Sequence, residues 1–282
     1  MLRMRRKTWF VWGLLIGAAF SFQPANAQYT SDYQTNVISG VTSNWSGTYI
    51  VGSSNIADVL WIDTNGTLSD DGSYVGYKLS GSNNIVVLTG TQSVWRTSGT
   101  TGKRYVGYAG TANQLIITNL SYGYYIGAIY GGVYSSAGYV GYMPSSSNNI
   151  VLIAGTGSFW AMRGTGVNDS GNFYVGYAGA ANQLIISNVS QGYQRMFNLY
   201  DGAVYDNIGK VGYMESSSNN TVLVSGTNSA WDNSSDLTVG YDGRGNQLVI
   251  TNGGSVLNRF GYLGFNSSGR SNVVVVSGSG ST

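Results

Sequence analysis

The sequence predicts an all-β protein, a right-handed parallel β-helix (β-solenoid) of about eight coils. One observation is an internal repeat: the stretch 216–254 recurs upstream at 80–119 and 145–188, and a partial copy begins at Ser271. Another is a pair formed by an apolar residue and glycine, which recurs eight times at intervals of 24 to 36 residues. The glycines of these pairs are Gly52, Gly76, Gly107, Gly141, Gly176, Gly212, Gly240 and Gly264.

Two strand types alternate along most of the chain. One reads N-N-x-V-x-V followed by S-x-W, and the other reads N-Q-L-x-I-x-N, both with apolar residues at period two. We expect strands of one type to stack on their own kind in parallel, about 4.8 Å apart. Because crossovers between parallel strands are nearly always right-handed, the helix should be right-handed. The alternative, an antiparallel sandwich or propeller, is disfavoured because two-residue Asn-Gly hairpin turns are scarce.

Residues 1–27 are predicted to be a secretory signal peptide. A basic start is followed by an apolar run from Trp9 to Phe22 and by the small-residue pattern A-N-A before Gln28. A signal anchor is the alternative, but the run is short for crossing a bilayer, and no second run is long enough. We therefore expect a mature chain without a transmembrane segment that is secreted or displayed at the cell surface.

The remaining chain divides into a lead-in and a repeat domain. Residues 28–47 are polar with scattered apolar positions and are predicted to form an N-terminal cap or a loosely ordered lead-in. The repeat domain is predicted at 48–282, ending inside a repeat, because SGSGST stands where earlier copies place S-x-W. Two tyrosine-rich insertions, 120–138 and 189–210, break the rhythm and should either protrude from the coils or widen them.

Composition excludes several kinds of site. The chain has no His and no Cys, which excludes His-based triads, cysteine nucleophiles, the usual zinc sites and disulfide bonds. After removal of four basic residues with the signal, 10 Lys and Arg remain against 12 Asp and Glu, so nucleic acid is not an expected partner. We predict no metal and no cofactor. The segment 240–248 resembles a calcium-binding repeat, but Asp242 is replaced by Ala109 and Ala178 in the other copies.

Three segments, SSSNNTVLVSGTNSAW (216–231), LTVGYDGRGNQLVITNGG (237–254) and YLGFNSS (262–268), resemble the autotransporter/PEP-CTERM-associated repeat family. The resemblance covers roughly 72–282. It implies a β-helix, export, and surface display or secretion in the manner of an autotransporter passenger, and it assigns no catalytic residue. The two upstream copies depart from the pattern, since they lack the terminal Gly-Gly and carry the tyrosine-rich insertions instead.

The insertions supply the predicted adhesion residues, because loops on a rigid scaffold commonly carry recognition. These residues are Tyr122, Tyr124, Tyr125, Tyr130, Tyr134, Tyr193, Tyr200 and Tyr205. They predict a structural or adhesive protein that is not an enzyme, with surface glycans or other cell-surface proteins as partners. Two alternatives stay open. One is a polysaccharide-active hydrolase or lyase, and the other is a passenger fragment without independent activity. The enzyme would need a carboxylate pair from Asp70/Asp71, Asp201/Asp206 or Asp232/Asp236.

Two further sets of residues recur at equivalent positions and are predicted to be structural. Trp95, Trp160 and Trp231 should stack over a coil corner, the alternative being a row of indoles that binds glycans. The residues Asn84, Asn149 and Asn220 follow Asn83, Asn148 and Asn219, and these pairs should form turns whose copies bond each other.

An outer apolar row is predicted on the first strand type. The positions between the inward residues are also apolar there, at Val87, Leu152, Leu223 and Val275. A sheet with one face in water should alternate apolar and polar residues, so this row indicates a covered or adhesive face. Either an insertion folds over it or a partner binds it, including another copy of the chain.

Overall fold

The computed structural model describes residues 29–97, 99, 101–120, 131–162, 171–189 and 204–282. These residues form a right-handed parallel β-helix of about eight coils, which confirms the predicted fold class. Most coils contribute one strand to each of three sheets, which contain nine, eight and eight strands. Over the same residues, no helix has the length and apolar character needed to cross a membrane.

The three sheets, A, B and C, run the length of the rod. Sheet A contains β1 (Thr35–Ser39), β4 (Val59–Asp63), β7 (Ile85–Thr89), β10 (Gln114–Thr118), β13 (Ile150–Ala154), β16 (Gln183–Ser187), β19 (Thr221–Ser225), β22 (Gln247–Thr251) and β25 (Val273–Ser277). Sheet B contains β2 (Thr42–Asn44), β5 (Thr67–Asp70), β8 (Val94–Thr97), β11 (Gly132–Ser135), β14 (Trp160–Met162), β17 (Val204–Asp206), β20 (Ala230–Asn233) and β23 (Ser255–Leu257). Sheet C contains β3 (Thr48–Val51), β6 (Gly72–Val75), β9 (Lys103–Val106), β12 (Ala137–Val140), β15 (Asn172–Val175), β18 (Ile208–Val211), β21 (Asp236–Val239) and β24 (Phe260–Leu263).

The first coil begins before the predicted repeat domain. Strands β1 and β2 lie within 28–47, the region predicted to be a cap or lead-in, and they pair with β4 and β5. Tyr29 covers the end of this coil: its ring is buried in the core, and its hydroxyl donates to the carbonyl oxygen of Val59 at 2.7 Å. The predicted signal peptide, 1–27, lies outside the described residues.

The prediction that strands of one type stack on their own kind is wrong. Both types lie in sheet A and alternate along it, so that β10, of the second type, pairs with β7 and β13, both of the first. The inward positions explain why the two types are compatible. Leu115 of β10 is in register with Val86 and Val151, and all three side chains are fully buried aliphatic groups.

From the third coil onward, one asparagine per coil, just before the strand of sheet A, forms a continuous asparagine ladder. The side-chain Nδ2 and backbone N of Asn149 both donate to Oδ1 of Asn182 in the next coil, at 2.9 and 3.1 Å. The same paired bonds recur between successive coils. The ladder residues are Asn84, Asn113, Asn149, Asn182, Asn220, Asn246 and Asn272. The predicted Asn84, Asn149 and Asn220 are thus three of seven members, and the N-Q-L segments supply three of the others.

The glycine of each apolar-glycine pair packs against this ladder. Gly107 has a φ of +73°, and a Cβ there would collide with the side-chain amide of Asn149 in the following coil. Equivalent collisions involve the ladder asparagine of the next coil at Gly52, Gly76, Gly141, Gly176, Gly212 and Gly240. The recurring glycine and the recurring asparagine are therefore two halves of one contact between coils.

The two residues of each Asn-Asn pair have different roles. Asn83, Asn148 and Asn219 have φ values of 58°, 56° and 55°, which place them in the left-handed region that asparagine tolerates. Each of these residues turns the chain so that the second asparagine enters the ladder.

The three tryptophans lie on the inner face of sheet B, fully buried, in alternate coils. Val133 is in register with both Trp95 and Trp160, and Val204 is in register with both Trp160 and Trp231. A valine therefore separates successive indoles along the column. Sheet C compensates for their size with small residues: a Cβ on Gly138 would lie 2.9 Å from Trp160, and a Cβ on Gly209 would lie 2.6 Å from Trp231.

Candidate functional site

The outer face of sheet A carries an uninterrupted apolar stripe. The middle residue of each strand points outward, and it is apolar in all nine strands: Val37, Trp61, Val87, Ile116, Leu152, Ile185, Leu223, Val249 and Val275. Exposure reaches 44% at Val37 and 38% at both Trp61 and Val275. The predicted outer row of Val87, Leu152, Leu223 and Val275 is therefore part of a longer stripe.

The residues that flank the apolar stripe are mostly small and uncharged. One outward column lies on each side of the stripe, formed by the first and the fifth residue of each strand. These two columns contain Thr, Ser, Gln, Val, Ile and Ala, and Asp63 is their one charged residue across the nine strands. Nothing in these columns sets up charge repulsion along the face. The stripe can therefore accept an apolar partner along most of its length, the buried position being Val87, which is 8% exposed.

Both tyrosine-rich insertions belong to the same corner of the rod, between sheets A and B. In the sequence, one lies between β10 and β11 and the other between β16 and β17, and the strands β10 and β16 are two coils, or about 10 Å, apart. The C-terminal ends of both predicted insertions belong to the coils. Residues 132–138 and 204–210 contain the paired strands β11, β17 and β18 and the start of β12, so the insertions are shorter than predicted.

Two of the predicted adhesion tyrosines are in described strands and lie close together. Tyr134 and Tyr205 face outward on sheet B, two coils apart, with Ala161 in register between them. Phe159 contacts both rings, at centroid distances of 5.2 Å to Tyr134 and 6.2 Å to Tyr205. The other predicted residues, Tyr122, Tyr124, Tyr125, Tyr130, Tyr193 and Tyr200, lie outside the described residues.

A second surface, which the sequence reasoning missed, is a tyrosine wall on the outer side of sheet C. Ten tyrosines form two adjacent columns along the rod, one on the strands and one just after the apolar-glycine pairs. The strand column is Tyr74, Tyr105, Tyr139 and Tyr174, and the turn column is Tyr77, Tyr108, Tyr142, Tyr177, Tyr213 and Tyr241. The signal was a Y-V-G-Y motif that occurs four times, at 74–77, 105–108, 139–142 and 174–177.

The rings of the tyrosine wall stack on one another. Tyr139 and Tyr174 are parallel to within 1° with centroids 5.0 Å apart, and Tyr142 lies at 88° to Tyr139 at 5.2 Å. Lys210 takes the place of a tyrosine in the strand column, and its Nζ lies 4.2 Å from the ring centroid of Tyr213. Because the ring faces are occupied by neighbouring rings, the wall presents mainly ring edges to solvent.

The candidate catalytic carboxylates of the described residues lie in separate environments. Asp70 is fully buried in the core, whereas Asp71 is exposed and accepts a hydrogen bond from the backbone N of Gly47 at 2.8 Å. Asp206 is buried in the core, while Asp232, on the neighbouring strand β20, is half-buried and in register with Tyr205. Asp236 is half-buried on β21, and Asp201 lies outside the described residues.

The buried carboxylates instead accept hydrogen bonds from the tryptophan indoles. The indole Nε1 of Trp95 donates to Asp70 at 2.6 Å, that of Trp231 donates to Asp206 at 3.0 Å, and that of Trp160 donates to the Ser135 hydroxyl at 2.9 Å. In each case the acceptor lies one coil earlier on sheet B. These side chains satisfy buried donors, which is a structural role.

The environments of the two carboxyls differ. Asp70 forms a buried ion pair with Arg104 at 3.3 Å, and the guanidinium lies 3.8 Å from the Trp95 ring centroid. Burial raises the pKa of the Asp70 carboxyl, although Arg104 opposes the rise. Burial raises the pKa of the Asp206 carboxyl well above the ordinary value. No cation among the described residues forms an ion pair with Asp206 that would oppose this rise.

The calcium-like segment also has a structural explanation. Oδ1 of Asp242 accepts hydrogen bonds from Nδ2 of Asn266 at 2.9 Å and from the hydroxyl of Ser268 at 2.8 Å, both in the next coil. Among the described residues, no group of three or more acidic residues converges to hold a metal ion.

The chain was compared with family models, curated proteins and solved structures, and no match was found in any of the three comparisons.

Proposed function

We propose that this protein is an exported structural and adhesive rod of the autotransporter-passenger kind, secreted or displayed at the cell surface, whose copies associate side by side through the apolar stripe. The observation that carries the proposal is the continuity of the stripe over all nine strands of sheet A. Export rests on the signal-like segment 1–27, and the passenger character rests on the repeat resemblance over 72–282.

The size of the stripe supports a specific interface. Nine strands at about 4.8 Å extend for roughly 40 Å, and three outward columns span about 13 Å. Two such faces would bury on the order of 1,000 Å² in total, which is near the lower limit for specific interfaces. The partner that matches best is a second copy, because its side chains repeat with the same spacing and can fill the gaps between successive stripe residues.

The insertions supply the adhesive part of the proposal. Tyr134, Phe159 and Tyr205 form an aromatic cluster on sheet B beside the corner from which both insertions arise. Tyr134 and Phe159 are each only 9% exposed, so this cluster would support the insertions, and the insertion tyrosines would make the contacts. Tyrosine gives a large contact area and a polar hydroxyl at a low cost in conformational entropy, which suits recognition of glycans or surface proteins. The rigid coils would hold the two insertions at a fixed separation.

Self-association is tested by sedimentation velocity over a range of concentrations. We expect the wild type to form dimers or larger assemblies, and the double substitution Ile185→Lys with Leu223→Lys to weaken association at least tenfold, because two charges would be desolvated. The control, Ser80→Lys with Ser267→Lys, adds two cations at exposed turn positions that follow strands of sheet C. A wild type that stays monomeric at high concentration would reject the association.

Adhesion is tested by replacing the insertion tyrosines 122, 124, 125, 130, 193 and 200 with serine, leaving Tyr134 and Tyr205 in place to preserve the sheet. Binding to glycan arrays or to cell surfaces should be lost while circular dichroism still reports a folded β-helix. Unchanged binding by the folded variant would remove the adhesive role from the insertions.

A further inference from the structure

The tyrosine wall has a geometry that goes beyond an adhesive surface. In the turn column, Tyr142 lies between Tyr108 and Tyr177, with centroid distances of 5.0 and 4.7 Å and interplanar angles of 15° and 18°. All three side chains are half-buried and reachable from solvent. Each ring therefore rests against the ring of the preceding coil and that of the following coil.

The strand column has the same stacking but is more enclosed. Tyr105 and Tyr139 lie 4.7 Å apart at 12°, yet Tyr139 and Tyr174 are only 1% and 2% exposed. An oxidant in solution would therefore reach the turn column more readily than Tyr139 and Tyr174 of the strand column.

We propose that the tyrosine wall is an oxidative cross-linking site, at which one-electron oxidants convert neighbouring turn-column tyrosines of successive coils into dityrosine. Each of two phenols loses one electron and its hydroxyl proton to give a phenoxyl radical. The two radicals couple through ring carbons ortho to oxygen, forming one C–C bond. Each ring then moves its ortho hydrogen to oxygen and becomes aromatic again. The pair has lost two hydrogen atoms, as two protons to water and two electrons to two equivalents of oxidant.

Stacking favours coupling within the chain. A radical on Tyr142 already has a phenol on each side at ring-contact distance, so a second oxidation gives coupling without diffusion of two molecules. Burial and neighbouring tyrosines raise the pKa of Tyr108, which keeps its phenol protonated at neutral pH. Oxidation of this phenol to a phenoxyl radical therefore requires the loss of the hydroxyl proton as well as of an electron.

The product would supply a covalent brace that the composition otherwise lacks. The chain has no cysteine, so no disulfide bond joins its coils. A bond between Tyr108 and Tyr142, or between Tyr142 and Tyr177, would join consecutive coils. By restricting the unfolded chain, one such link should raise the midpoint of thermal unfolding by roughly 5–10 °C.

The experiment oxidises the dilute, purified protein with light-excited ruthenium tris-bipyridyl and persulfate. Dityrosine fluorescence is measured, and peptic peptides are identified by mass spectrometry. We expect intrachain links, two hydrogen atoms lighter than the unlinked peptides, that join Tyr108 to Tyr142 and Tyr142 to Tyr177. The oxidised protein should also unfold at the higher temperature.

Two matched variants make the result specific. Tyr142→Phe keeps the ring stack but cannot form a phenoxyl radical, so both links should disappear. Tyr33→Phe removes a tyrosine that is 73% exposed and outside the wall, and it should leave both links unchanged. Links that survive Tyr142→Phe, links found only between chains, or links confined to tyrosines outside the wall would overturn the proposal.

Discussion

Single polar side chains at fixed positions hold neighbouring coils together. Each interior ladder asparagine, from Asn113 to Asn246, receives two hydrogen bonds from the previous coil and gives two to the next, so its amide is satisfied in a fully buried position. Asp58 occupies the ladder position in the second coil. Its backbone N donates to Oδ1 of Asn84 at 3.0 Å, and its own Oδ1 accepts from the backbone N of Gln34 at 2.9 Å. Its Oδ2, however, has no hydrogen-bond partner among the described residues.

Asp58→Asn should stabilise the protein by about 1 kcal/mol at neutral pH, because the new Nδ2 can donate to Oδ1 of Asn84 as it does in every later coil. Burial raises the pKa of the Asp58 carboxyl in the folded state. The Asp58 carboxyl has a pKa of about 4 in the unfolded chain and a higher pKa in the folded chain. As pH rises from the lower to the higher value, the unfolded chain loses this proton first, so the stability of the wild type falls. The gain from Asp58→Asn should be full above the folded pKa and vanish below about pH 4.

Urea unfolding at a series of pH values measures this effect. The reverse change in the middle of the ladder, Asn149→Asp, provides the matched control and should destabilise the protein, because it removes the donor to Asn182. A variant Asp58→Asn that is less stable than the wild type at pH 7 would contradict the role assigned to the amide.

At the scale of the strands, the coils form a two-coil unit in which large and small inward residues alternate. Coils with a tryptophan on sheet B carry Arg104, Phe173 or Leu237 on sheet C. The preceding coils carry Ser73, Gly138 or Gly209 at the same sheet C position. The indoles of Trp160 and Trp231 extend over Gly138 and Gly209 of the coil before, so large and small inward residues fill the core together.

Gly209→Ala should destabilise the protein by about 1–3 kcal/mol, the usual cost of overpacking a core. The new Cβ would lie 2.6 Å from Trp231 and 2.9 Å from Leu237, and it would also collide with Oδ1 of Asn233. Gly261→Ala is the control, since Gly261 occupies the same column and its nearest neighbour to a Cβ is Nδ2 of Asn258 at 3.3 Å. Equal losses of thermal stability for the two variants would exclude the packing explanation.

At the scale of the whole molecule, the rod is a linear array in which each coil contacts mainly its two neighbours. The stability of such an array is close to a sum of coil terms and interface terms. The cost of a broken ladder bond should therefore depend on where the bond lies along the rod.

Asn149→Ala and Asn272→Ala test this dependence. Asn149 is fully buried in a central coil, and its loss should lower the unfolding free energy of the whole rod by about 1–3 kcal/mol. Asn272 precedes β25 and is half-buried, so its loss should release only the last strands. Hydrogen exchange should show reduced protection throughout the rod for Asn149→Ala and reduced protection confined to β24 and β25 for Asn272→Ala. If both variants lost hydrogen-exchange protection uniformly along the rod, that result would argue against a linear array.

The sequence by itself determined the coil length, the parallel β-helix and the inward residues of sheet A, because period-two apolar spacing and a recurring glycine are local properties of the chain. It also indicated the apolar stripe, although it identified only four of its nine residues. Export, adhesion and the passenger character stay predictions.

Only the tertiary structure decided which coils and side chains meet. The intervals between repeats vary from 24 to 36 residues, so the register of one coil on the next cannot be read along the chain. That register places both strand types in one sheet, joins Asn113 to Asn149, and buries Asp70 and Asp206 under tryptophans rather than in a catalytic cleft. It also turns four separate Y-V-G-Y motifs into one tyrosine wall, since rings more than 30 residues apart in sequence become neighbours only when the coils stack.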